Sequence, residues 1–105
     1  MKYLQQGDVL IKPCVSVPSG AKKVKATSRG YILAEGEVTG HAHRIEDVAG
    51  IEFMEKDGKL YIVNMKPAVL GHEEHKTVTI PAGCWEVSKV REYDHWAEEA
   101  REVRD

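Results

Sequence analysis

The chain has 105 residues, of which 42% are hydrophobic, and its formal net charge at pH 7 is -2. A chain of this length has enough apolar side chains for one core, which predicts a single domain over residues 1–105. Charges of both signs are interspersed and the net charge is slightly negative, so we expect no nucleic-acid partner and no membrane partner.

The N-terminus and the cysteines both favour a cytoplasmic location. The first residues, "MKYLQQGDVLIKP", contain no apolar stretch of signal-peptide length. Cys14 and Cys84 are far apart in the sequence and form no CxxC pair. A reducing cytosol would keep both as thiols.

Glycine and proline divide the chain into short pieces, most of them rich in β-forming residues. The first predicted strand runs from Asp8 to Lys12 and ends at Pro13. A long polar loop, "VPSGAKKVKATSRG", follows, and "YILAEG" is predicted to be a buried strand. The clearest signal is "IEFMEKDGKLYIVN", where two apolar runs flank a turn that contains glycine, which predicts a β-hairpin.

The second half of the chain continues this pattern and then changes character. "AVLGH" and "KTVTIPAG" are predicted to be short strands, and "CWEVSKVREY" a longer one. Residues 94–104 are predicted to form a helix, with Asp94 as its N-cap and Trp96, Ala100 and Val103 at helical spacing. About seven or eight short strands and one helix predict a mainly β fold, a small antiparallel β-barrel or sandwich. A domain this small often gains core by association, so we expect a homodimer, with Trp96 as a contributor.

Four of the five histidines lie in two short windows, "GHAHRIED" and "GHEEHK". Residues two apart in a strand point to the same side, so His41 and His43 are predicted to form half of a metal site. Imidazoles bind transition metals at roughly 2.1 Å, and His72 and His75 are the expected partners. The predicted cofactor is one divalent transition metal: Fe, Ni, Mn or Zn.

The spacing of "HEEH" leaves two arrangements open. Its histidines are one residue closer together than those of the HExxH pattern of zinc peptidases, so we do not expect the protein to be a zinc peptidase. In a regular strand, His72 and His75 would face opposite ways, and Glu74 would share the face of His72. Either a bend at Gly71 brings both histidines inward, or Glu74 takes the place of His75. We favour the two histidines.

Two short motifs give the chain a resemblance to the cupin superfamily. Gly36 is followed by His41-Ala42-His43, and Asp47 stands where that family commonly has a metal-binding glutamate. Pro81-Ala82-Gly83 resembles the second cupin motif, with Glu86 where a third histidine is expected. The resemblance implies a compact jelly roll with an ion inside the barrel, bound by His41 and His43 of the first motif. It leaves the third ligand open between Glu86 and the histidines of "HEEH".

Two functions follow from these patterns. A bound ion with an open coordination position could support hydrolysis, isomerisation or oxygen chemistry on a small molecule, with Glu73, Glu74 and Glu86 as candidate general bases. The alternative is a non-catalytic β-barrel interaction module with a structural metal or with none. Three protein ligands and a water would favour the enzyme, and four protein ligands would favour the module.

Overall fold

A computed structural model describes residues 3–35 and 40–89, which form ten β-strands. The strands are β1 (Leu4–Gln6), β2 (Val9–Pro13), β3 (Lys22–Lys23), β4 (Tyr31–Glu35), β5 (Ala42–Ile45), β6 (Ile51–Lys56), β7 (Lys59–Asn64), β8 (Ala68–Leu70), β9 (Val78–Ile80) and β10 (Gly83–Lys89). The mainly β fold expected from the sequence is confirmed. The helix predicted for residues 94–104 lies outside the described residues.

Six of these strands form one antiparallel sheet, in the order β1-β2-β10-β7-β6-β3. The predicted hairpin is confirmed as β6 and β7, whose pairing runs from Ile51 opposite Asn64 to Lys56 opposite Lys59. Asp57 and Gly58 form its two-residue turn with φ angles of 52° and 82°. Positive φ at both turn residues matches the twist of a hairpin, and aspartate followed by glycine adopts these angles readily.

The other four strands form two antiparallel ribbons, β4 with β5 and β8 with β9. A bridge joins the ribbons, because the backbone N–H of Arg44 donates to the Gly71 carbonyl at 2.9 Å and the Gly71 N–H donates to the Arg44 carbonyl at 2.8 Å. Among the described residues, the six-stranded sheet ends at the short strands β1 and β3, which do not pair with each other. The closed barrel is therefore a correction to the prediction: the strands form an open sheet and two ribbons.

One hydrophobic cluster draws its members from the large sheet and from both ribbons. Trp85, Phe53 and Ile62 come from the sheet, and each is at most 2% exposed. Ile45 and Leu70, one from each ribbon, are completely buried. Since apolar burial is the main stabilising term in folding, this shared core fixes the ribbons against the sheet. Among the residues that the structure describes, no helix has the length and hydrophobicity needed to cross a membrane.

Candidate metal centre

Three segments distant in sequence meet at one end of the ribbons. Strand β5 carries His43, and its bridge to Gly71 places the next residue, His72, beside it. The turn between β1 and β2 supplies the third side, because a Cβ added to Gly7 would lie 2.8 Å from His75 Nε2 and 3.1 Å from His43 Cε1. Gly7 has a φ of +58°, so glycine gives both the backbone conformation and the room that these rings need.

His43, His72 and His75 form the group that we call the inner histidine cluster. One ring nitrogen from each can be chosen so that all three lie within 4.8 Å of one another. The ring centroids of His43 and His72 are 4.3 Å apart, and those of His72 and His75 are 4.5 Å apart. His43 is buried, whereas the cluster opens to solvent at His75. The rings thus surround a point that is reachable from solvent.

The bend considered for "HEEH" is present. Residues 72–75 lie between β8 and β9 and are not in a strand, so His72 and His75 both approach His43. Glu74 turns away, with 68% of its side chain exposed and Oε1 3.6 Å from His41 Nδ1. The geometry therefore joins the two histidines of this segment, rather than His72 and Glu74.

Gln6, the last residue of β1, orients His43. Its amide Nε2 donates hydrogen bonds to the carbonyl oxygens of Leu70 and Lys76, both at 2.9 Å. The amide oxygen Oε1 lies 2.8 Å from His43 Nδ1 and can only accept a hydrogen bond. His43 Nδ1 therefore carries the proton, and the lone pair of the ring is on Nε2.

The lone pair of His43 faces a carboxylate, because Asp8 Oδ1 lies 3.5 Å from Nε2. Burial of the ring and the nearby His72 lower the pKa of His43 to about 4, so the ring is neutral near pH 7. Two electron-rich atoms then face each other with no proton to share. A cation, or a hydrogen-bond donor such as water, would stabilise both.

The pKa of His72 is also lowered, first by burial and then by the neighbouring His75. In this ring Nδ1 accepts a hydrogen bond from the backbone N–H of Glu74 at 3.0 Å. Neutral imidazoles are the form that binds metals, so the electrostatics of His43 and His72 both favour a metal-binding state near pH 7.

Glu73 is the centre of a second polar group, which we call the Glu73 anion site. Its Oε1 accepts a hydrogen bond from the Ala42 N–H at 2.9 Å. Its Oε2 accepts from Arg44 Nη1 at 2.7 Å and from Arg29 Nη2 at 3.2 Å. The backbone hydrogen bond from Ala42, together with Arg44, lowers the pKa of Glu73 to about 2. A carboxylate held in this way is a poor proton acceptor, which disfavours Glu73 as a general base.

His41 lies on the side of the Glu73 anion site. One ligand atom each from His41, His72 and Glu73 also lie within 4.8 Å of one another. Both oxygens of Glu73 already accept hydrogen bonds from donors, however, so an ion bound by this second group would compete with those donors for Glu73. His41 precedes β5, which begins at Ala42, and Ala42 is completely buried rather than facing away from the core as expected.

Two carboxylates that the sequence analysis considered as metal ligands have other partners. Glu86 is in β10, where its Oε2 pairs with Lys12 at 3.2 Å and Lys59 at 3.6 Å. Asp47 lies in the connection between β5 and β6, where Oδ1 accepts from the Ala49 N–H at 3.2 Å. The structure places neither with the inner histidine cluster.

A surface cleft of about 350 Å³ lies beside the cluster. The residues that line it include His72, Glu73, Arg44, Glu46 and Thr77. His72 therefore borders both the inner histidine cluster and a space of the size that a small molecule needs.

Gln6, Gly7 and Asp8 are the site residues that the sequence analysis missed. They are consecutive in "QQGD", where Asp8 is the first residue of the first predicted strand. The glycine signals a turn, and the polar residues on both sides of it were the available hint. Their contact with His43 is a long-range one, which local patterns do not reveal.

Residues 5–90 match the sequence family described as "Domain of unknown function (DUF8820)". The match covers most of the chain, so the chain belongs to this family. Neither a curated protein nor a solved structure gives a match.

Proposed function

We propose that this member of the DUF8820 family binds one divalent transition metal ion through its inner histidine cluster. The main support is the convergence of His43, His72 and His75, whose ligand nitrogens can lie within 4.8 Å of one another. Imidazole suits Zn(II), Fe(II), Ni(II) and Mn(II) to different degrees, and three histidines form a coherent site for such ions. The resemblance to cupins points to the same chemistry and stays a prediction.

The side chain best oriented to bind an ion is His43. A metal-bound histidine usually donates its second ring N–H to an oxygen, which fixes the ring and leaves the other nitrogen to the metal. Gln6 Oε1 accepts this hydrogen bond at 2.8 Å. In His72 one change is needed: an ion bound through Nδ1 would replace the hydrogen bond from the Glu74 N–H, and an ion bound through Nε2 would displace the proton on that nitrogen. Glu74 is largely exposed, so water can satisfy that N–H.

Three protein ligands leave a coordination position for water or substrate, which favours a small metal-dependent enzyme. Such an ion polarises a substrate oxygen or lowers the pKa of a bound water. Asp8 is 60% exposed and its carboxylate lies next to His43, where it is placed to accept a proton from a group beside the ion. The cleft beside His72 offers room for a small-molecule ligand.

A structural metal is the alternative, and the connectivity of the site favours it. The cluster joins strand β5 to the segment after β8, which belong to two different two-stranded sheets, and it packs against the β1–β2 turn. An ion bound there would cross-link these sheets and stabilise the fold without catalysis. A cytoplasmic location and a homodimer remain predictions from the sequence.

Metal titration of the full chain tests the site. The protein is stripped with a chelator and titrated separately with Zn(II), Fe(II), Ni(II) and Mn(II) by calorimetry. We expect about one equivalent to bind, and we expect His75→Ala to lose more than the ~10–100-fold in affinity that is typical of residues that only orient a ligand. His41→Ala is the matched control, a nearby histidine outside the inner cluster, and should keep the affinity.

Two results would overturn the proposal. One is wild-type protein that binds none of the four ions. The other is a reversed pattern, in which His41→Ala loses the ion and His75→Ala keeps it, since this would place the ion at the Glu73 anion site. Water-proton relaxation of the Mn(II)-loaded protein separates the two functions, because an open coordination position exchanges water rapidly and a closed structural site does not.

A further inference from the structure

The two cysteines, 70 positions apart in the sequence, are neighbours in the fold. Cys14 directly follows β2, and Cys84 lies in β10. The backbone N–H of Cys14 donates to the Cys84 carbonyl at 3.0 Å, and the two Sγ atoms are 2.8 Å apart. Both residues are partly accessible to solvent.

The strand pairing places the two cysteines directly opposite each other. Pro13 pairs with Trp85 and Lys12 with Glu86, so the same register continued by one residue pairs Cys14 with Cys84. Opposite residues in antiparallel strands have Cα atoms roughly 4.5–5.5 Å apart. This separation falls within the roughly 4.4–6.8 Å range of disulfides, so a bond can form without backbone movement.

We propose that Cys14 and Cys84 form an intramolecular disulfide when the protein meets a low-molecular-weight disulfide such as oxidised glutathione. One cysteine thiolate attacks a sulfur of the oxidant, which gives a mixed disulfide and releases one small thiol. The second cysteine thiolate then attacks the protein sulfur of that mixed disulfide and releases the second small thiol. In sum, two protein thiols and one small disulfide become one protein disulfide and two small thiols, and the two protons pass to the released thiols.

The surroundings of Cys14 affect the rate of this reaction. Burial and the hydrogen bond with Cys84 raise the pKa of Cys14 to about 12, so Cys14 stays protonated near pH 7. The thiolate is the attacking species, so the step in which Cys14 attacks should become faster as the pH rises.

The bond would close a loop that contains β3 to β9 and all four clustered histidines. Closing so long a loop restricts the unfolded chain and stabilises the folded state. The proposed bond is independent of metal binding, because neither cysteine belongs to the inner histidine cluster.

Intact mass and thermal unfolding of the full chain test the proposal. The reduced protein is incubated with increasing ratios of oxidised to reduced glutathione, quenched with acid, and analysed without reductant. We expect the loss of two hydrogen atoms, a peptide that links Cys14 to Cys84, and a rise in Tm on the order of 10–20 °C, reversed by reductant. The chain has only these two cysteines, so no other thiol competes.

Cys14→Ser and Cys84→Ser are the matched controls. We expect each variant to stop at a glutathione adduct on its remaining cysteine, because the second thiol that would resolve the mixed disulfide is gone. Wild-type protein that stays a dithiol, that stops at the glutathione adduct, or that links only between chains would overturn the proposal.

Discussion

The inner histidine cluster and the Glu73 anion site lie side by side and share the segment after β8, yet they differ in how their polar groups are satisfied. In the Glu73 anion site, both carboxylate oxygens of Glu73 accept hydrogen bonds, one from the Ala42 N–H and the other from Arg29 and Arg44. In the histidine cluster, the lone pair of His43 faces the carboxylate of Asp8. Both oxygens of Glu73 thus face donors, whereas the lone pair of His43 faces an acceptor.

This difference separates a structural role from a binding role. Hydrogen bonds between charged groups with matching donors and acceptors stabilise a fold. Acceptors that converge without a donor cost free energy in the folded state unless a ligand binds there. We therefore expect that changes in the anion site affect stability, and that changes in the histidine cluster affect metal binding.

The largest expected effect is the pH dependence of the metal-free protein. The pKa of His43 is about 4 in the folded protein and 6.5 in its ordinary state. As the pH falls, the unfolded chain takes up a proton at this histidine before the folded protein does. The contribution of His43 to the free energy of unfolding is therefore complete above pH 6.5 and is lost as the pH falls towards 4. The side chain is 5% exposed, and the loss amounts to about 3 kcal/mol in the free energy of unfolding.

Urea unfolding between pH 7 and pH 4.5, with a chelator present, measures this loss. His43→Gln removes the titrating group, so the free energy of unfolding of this variant should change less between pH 7 and pH 4.5 than that of the wild-type protein. Glu73 has a folded pKa of about 2 and an ordinary value of 4.5, so its contribution is lost only below that range. Equal slopes for the two proteins between pH 6.5 and 4.5 would show that His43 does not titrate as proposed.

A smaller effect is expected from Gln6, which holds His43 in one tautomer. Gln6→Leu removes the acceptor for His43 Nδ1 and should lower metal affinity by about 10–100-fold. Nitrogen NMR of the imidazole should also show mixed tautomers in the variant, a change that a general loss of stability would not produce. Gln5→Leu is the control, because the Gln5 amide donates to the Gly7 carbonyl and not to the ring. An unchanged tautomer in Gln6→Leu would contradict the assigned role.

The sequence predicted those parts of the fold that depend on local patterns. The hairpin of β6 and β7 follows from alternation and from an Asp-Gly turn, both of which involve neighbouring residues. The histidines of the candidate metal site stood out in the sequence for the same reason, because they occur as local pairs. The prediction of a closed barrel was wrong. Closure requires the short edge strands β1 and β3 to pair with each other, and no local sequence pattern specifies this pairing.

The features that were not predicted from the sequence depend on contacts between residues far apart in the chain. Gln6 and His43 are 37 positions apart, and Cys14 and Cys84 are 70 apart. Their proximity depends on the order of strands in the sheets, so neither spacing nor composition indicates it. His41, which precedes β5, groups with His72 and Glu73 rather than with His43, a placement that the alternation of "HAH" did not indicate.

The smallest expected effect is that of Glu73→Gln, which tests the structural side of the comparison. The amide oxygen can still accept from the Ala42 N–H, but Arg29 and Arg44 lose a shared carboxylate. These groups are partly exposed, so we expect Tm to fall by only a few degrees and the loss to shrink in high salt. Metal affinity should stay unchanged. Glu74→Gln is the matched control, an exposed neighbour that should change neither quantity. Loss of metal binding in Glu73→Gln with an unchanged Tm would reverse the assignment, since Glu73 would then be a ligand and the arginines would only orient it.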